Sequence, residues 1–117
     1  KPIIEDDAQH WRHFNKKALL DTISNDMETY QQLLQIISTN LPEKLEKLET
    51  TISARDIRES LSILHAIRGS AQNMHFPQLA ELASYLEKNF VQLDPDDAED
   101  ILQNMIKEWS IILEIIS

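Results

Sequence analysis

Apolar residues recur at spacings of three and four along most of the chain, the period of helices that each bury one face. Ala18, Leu19, Leu20 and Ile23 predict a short helix from Phe14 to Ile23, which Ser24-Asn25-Asp26 ends. Asp26 suits the N-cap of the next helix, because its carboxylate can accept from unpaired backbone N–H groups. That helix is predicted from Met27 to Thr51, on the stripe Tyr30, Leu33, Leu34, Ile37, Leu41, Leu45, Leu48 and Ile52. Pro42 falls inside the stripe and removes a backbone donor, so a kink or a division near Asn40 is expected. Ser53-Ala54-Arg55 reads as a turn, and Asp56 as the cap of a third helix from Ile57 to Met74. Pro77 opens a fourth, carrying Leu79, Leu82, Ala83, Leu86 and Phe90. Asp94-Pro95-Asp96-Asp97 opens a fifth: Asp94 can cap, Pro95 suits the first helical position, and the two acids favour the positive end of the helix dipole. Ile101, Leu102, Met105, Ile106, Trp109, Ile112 and Leu113 carry this helix to the terminus. Residues 1–13 read as a linker or lead-in and residues 14–117 as one domain. The expected fold is all-α: an antiparallel four-helix bundle with a short additional N-terminal helix.

Composition narrows the function. The chain has 117 residues, enough for one core. With no cysteine it has neither disulfides nor a thiolate nucleophile. A net charge of −9 disfavours general binding to nucleic acid or to an anionic membrane. No apolar run is long enough to span a bilayer. The chain starts at Lys1 without a methionine, which reads as a fragment excised from something longer.

One segment carries chemistry. Between Leu61 and Met74, the residues Ile63, Leu64, Ile67, Ala71 and Met74 share one helix face at about 100° per residue. His65, Arg68, Gly69 and Gln72 fall on the opposite side, so the histidine points outward with a cation one turn on. Gly69 is the only glycine in the chain, and a glycine inside a helix costs about 1 kcal/mol relative to alanine. Access explains it: without a Cβ on the next turn, another protein can bring a reacting group up to the imidazole. A guanidinium at Arg68 suits an anion such as phosphate. Histidine suits a carrier because an imidazole is largely neutral and nucleophilic at cellular pH. Leu61 lies about 40° from His65 around the helix and reads either as core edge or as part of an exposed apolar patch that a partner covers, with the patch slightly favoured.

His65-Ala66-Ile67-Arg68-Gly69-Ser70-Ala71 resembles the phospho-acceptor motif of histidine phosphotransfer (HPt) domains, a His-x-x-Lys/Arg-Gly-Ser/Ala-small pattern. Phe14-Asn15, Asp56 before its apolar helix, and Leu79-Ala80-Glu81-Leu82-Ala83 leading to Leu86-Glu87 extend the resemblance over residues 14–115. It implies a phosphoryl group carried on Nε2 of His65, with Arg68 steering phosphate and Gly69 giving clearance. It also implies that Glu87 lies near the other ring nitrogen and fixes the tautomer, and Gln72 shares the exposed face to meet phosphate or partner. Two positions depart from the family: His75 stands where glycine is usual, and Arg68 where lysine is commoner. The first puts the shape of the loop after the third helix in doubt.

The implied function is a phosphorelay intermediate. It accepts a phosphoryl group from a receiver-domain aspartate onto His65 and passes it to a response-regulator aspartate. The partners are receiver domains of a hybrid kinase and of a response regulator, and the isolated domain is expected to be monomeric. No cofactor is expected in this domain; the Mg2+ belongs to the receiver. Without a glycine-rich phosphate loop, ATP-dependent autophosphorylation is not expected. The truncated start and the residues before Phe14 suggest the C-terminal module of a bacterial hybrid sensor kinase, with this domain on the cytoplasmic side of the inner membrane; a free-standing shuttle protein is the alternative setting. The rival reading is a helical adaptor that docks a partner through the same face and is never phosphorylated. His10 and His13 are spaced to share a helix face, but no third ligand follows at a suitable spacing.

Overall fold

In a computed structural model describing residues 10–117, five helices account for most of the chain: α1 (Lys16–Thr22), α2 (Met27–Ser53), α3 (Ile57–Asn73), α4 (Pro77–Asn89) and α5 (Pro95–Ile116). There is no strand among the described residues. Helix α2 packs on α3, α3 on α4, α4 on α5, and α5 back on α2, closing a four-helix ring. Three residues join α2 to α3 and three join α3 to α4. Such a connection reaches at most about 10 Å, whereas α3 is about 25 Å long. Each of these helices must therefore start beside the end of the one before it and run antiparallel. Residues 1–9 of the expected lead-in lie outside the described residues.

Pro42 does not divide α2, which runs unbroken for 27 residues. Ile37, Leu41, Leu45 and Leu48 are all buried on one continuous face spanning the proline. Burying each such side chain contributes about 1.5–3 kcal/mol, which together exceeds the roughly 3 kcal/mol that an internal proline costs. Asp94 occupies the N-cap position of α5, but its carboxylate makes no capping hydrogen bond. The N–H groups of Asp96 and Asp97, which such a cap would satisfy, are left without it. Asp26 does cap: its carboxylate accepts from the Thr29 hydroxyl and from the backbone N–H groups of Thr29 and Glu28, which hold it below the ordinary carboxylate range.

The turns after α1, α2 and α3 close in the same way. Ser24, Arg55 and His75 sit at φ 57°, 58° and 60°. After each, the next residue's N–H bonds back to the third residue from the helix end: Asn25 to Leu20, Asp56 to Thr51, Phe76 to Ala71. This is the Schellman closure, a position that usually holds glycine. His75 therefore does adopt the left-handed conformation, and neighbours hold it there. The Asn15 N–H donates to its carbonyl at 2.8 Å, and the Thr22 hydroxyl lies 3.2 Å from its Nε2.

Phe76 is fully buried, with Phe14 edge-on at 5.4 Å and Trp109 at 6.2 Å between ring centroids. The same end of the bundle holds His13, whose Nδ1 lies 2.6 Å from the buried carboxylate of Glu108. Arg12 accepts from the Gln78 N–H through its carbonyl. The stretch just ahead of α1 is thereby fastened to α4 and α5. Leu61 is half-buried against the core; it completes the edge of the α3 core face and is not an exposed patch.

Candidate functional site

Helix α3 is held by contacts that leave one face clear. Asp56 caps its first turn by accepting from the Glu59 N–H. Ile63, Leu64, Ile67, Ala71 and Met74 are all buried, as the periodicity requires. Ser60, fully buried, donates to the Thr51 hydroxyl at 2.8 Å, and Thr51 donates to the Leu48 carbonyl. This polar pair between α2 and α3 fixes the rotation of α3 about its axis, which decides where the opposite face points.

That opposite face carries His65, whose side chain is 68 % exposed. Its Nδ1 is engaged, and its Nε2 makes no hydrogen bond among the described residues. A Cβ built on Gly69 would meet no atom within 4 Å. No packing among the described residues requires a glycine there, and its absent side chain leaves open space one turn from the imidazole.

Helix α4 supplies the remaining side chain. It buries Leu79, Ala83 and Leu86, and so presents Glu87 to α3. Glu87 Oε1 accepts from Arg68 Nε at 2.8 Å, and its Oε2 lies 3.2 Å from Nδ1 of His65. Arg68 Nη2 is 2.9 Å from the same Nδ1. Three of the expected residues therefore converge within one hydrogen-bonded group. The arrangement differs from the expectation in one respect: Arg68 reaches back to Glu87 and the ring nitrogen and does not extend past the imidazole. Gln72 is exposed and makes no side-chain hydrogen bond to the other site residues among the described residues. It rims a shallow groove with Pro77, Ala80, Tyr85 and Lys88.

The Arg68–Glu87 ion pair was not legible in the sequence. Two residues 19 apart on different helices share no periodic signal; only the helix-to-helix register brings them together. Nδ1 of His13 pairs with Glu108, and no group of three or more His, Asp or Glu side chains suited to a metal is gathered among the described residues. No helix among the described residues is long and apolar enough to cross a membrane.

Comparison with known proteins identifies the family and the fold. The family model for the Hpt domain matches residues 32–111. The sensor protein EvgS of Escherichia coli K12 is 26 % identical over 103 residues, covering 86 % of this chain. The matched region is 8 % of that relative's length. A crystal structure of the HPT domain from a hybrid sensor histidine kinase of Shewanella superposes with a TM-score of 0.71 at 20 % identity. It covers 91 % of this chain and 95 % of that one, and supports the fold.

Proposed function

Because the chain belongs to the Hpt domain family, whose members act as histidine phosphotransfer intermediates in phosphorelays, we propose that His65 is the residue that carries the phosphoryl group. The observation that carries this reading is the combination at one turn of α3: an exposed imidazole with its Nε2 unbonded, beside a glycine whose missing side chain leaves open space.

In this reading a receiver domain docks on the face shared by α3 and α4 and presents its aspartyl phosphate in line with Nε2. The Nε2–P bond forms as the P–O bond to the aspartate breaks, and the aspartate leaves as a carboxylate. The ring is then a phosphorylated imidazolium whose one N–H proton is on Nδ1. Glu87 accepts from that N–H and offsets the positive charge, as a carboxylate behind a reacting histidine does. Arg68 offers N–H donors to the phosphoryl oxygens during transfer. The reverse steps load a second receiver. The work is positioning and charge stabilisation rather than covalent rearrangement, and the Mg2+ is contributed by the receiver. Gln72 and the groove it rims form part of the docking face. The domain works as a monomer on the cytoplasmic side of the membrane, as one module of a hybrid sensor kinase.

The test is transfer of radiolabel from a phosphorylated receiver domain to the purified domain, with His65→Gln in parallel. Acid-labile label on the wild type and none on the variant is expected. A variant that labels as well as wild type would remove His65 from the role. If several receivers of proven donor competence leave the wild type unlabelled, the adaptor reading replaces the carrier.

A further inference from the structure

Nδ1 of His65 faces two partners that make opposite demands. Arginine has N–H donors and no acceptor, so the 2.9 Å approach of Arg68 Nη2 is a hydrogen bond only if Nδ1 carries a lone pair. A carboxylate accepts only, so the 3.2 Å approach of Glu87 Oε2 is a hydrogen bond only if Nδ1 carries a proton. One ring nitrogen cannot satisfy both. The shorter contact belongs to Arg68, and Arg68 is braced there by its second bond, from Nε to Glu87 Oε1 at 2.8 Å.

We infer that Arg68 is a positioning residue that sets the tautomer of His65. In the free domain it donates to Nδ1, which keeps the ring proton on Nε2 and leaves that nitrogen without a lone pair for attack. When Arg68 turns toward an incoming phosphoryl group, Nδ1 loses its donor. Water supplies a proton to Nδ1, which Glu87 then holds, and Nε2 releases its proton to water. Only this second state is nucleophilic at Nε2. Arg68 and Glu87 thereby make the histidine's readiness depend on an anion being present. The inference extends the carrier reading and takes its significance from it, but it concerns the free domain and can be tested without any receiver.

The groups that face the ring are Arg68 from α3 and Glu87 from α4, so two substitutions separate their effects. The experiment is a two-bond 1H–15N correlation spectrum of the histidine-labelled domain, recorded above the usual histidine titration range. In the wild type, His65 is expected as the Nε2–H form, with Nδ1 shifted as a hydrogen-bonded acceptor. In Arg68→Gln the population should invert to the Nδ1–H form held by Glu87. In the double variant Arg68→Gln, Glu87→Ala it should return to Nε2–H, the form an imidazole without an acceptor at Nδ1 prefers. A wild type already in the Nδ1–H form overturns the inference. So does an Arg68→Gln spectrum with the wild-type tautomer. Either result leaves the radiolabel test of His65 untouched, and failure of that test leaves the tautomer measurement standing.

Discussion

Gly69→Ala separates stability from function at one atom. In the bundle, the added Cβ meets nothing within 4 Å, and the residue lies inside α3 without a positive φ. The substitution therefore removes the conformational freedom of glycine in the unfolded chain and introduces no clash in the folded one. The expected gain is about 0.5–1 kcal/mol. For a domain of this size that corresponds to a rise in melting temperature of roughly 2–4 °C. Phosphoryl transfer should move the other way. The methyl group stands in the space one turn from His65 that an approaching receiver needs, and moving reacting atoms apart by about 1 Å costs of order 100-fold in rate. Chemical denaturation gives the first quantity, and rapid-quench transfer from a labelled phospho-receiver gives the second. A variant that is stabilised and transfers at the wild-type rate would refute the clearance argument. A destabilised variant would refute the open space that the structure gives to Gly69.

Two further predictions concern the scaffold. Pro42→Ala restores a backbone donor in the middle of the unbroken α2, and should raise stability by about 1–3 kcal/mol in a denaturant titration without altering transfer. A loss of stability would mean that the unfolded-chain effect of proline outweighs the missing hydrogen bond. Asp26 is held below the ordinary carboxylate range by its bonds to Thr29 and Glu28. Its capping contribution is therefore present at neutral pH and lost as pH falls through the lowered folded value. Asp26→Ala should accordingly melt below wild type at pH 7, and the gap should narrow on acidification into the range below 3.8. A gap that is constant with pH would show that the cap does not act through its charge.

How much of this molecule is written in its sequence depends on whether a feature is local. Periodicity and capping place the helices to within a few residues, because each depends on residues three or four positions away. Pro42 marks the limit: a local rule predicts a break, and contacts from α3 and α5 outweigh it. Leu61 falls to the core-edge alternative through packing that only the fold supplies, and Asp94 takes the N-cap position without the side-chain bond that the local rule expects. The outward face of His65 was legible because helix phase fixes direction. Glu87 beside Nδ1 was expected through the family resemblance alone, and the contacts of Arg68 with Nδ1 and Glu87 were not expected, since they depend on the register between α3 and α4. The placement of glycine shows both sides of this. The backbone takes the left-handed conformation at Ser24, Asn25, Arg55 and His75, where glycine would cost least, and none of the four is glycine. The only glycine stands mid-helix, where the backbone disfavours it and the fold has no contact that needs it. A residue placed against local preference, where no contact among the described residues needs it, fits the proposed role of leaving room for whatever approaches His65.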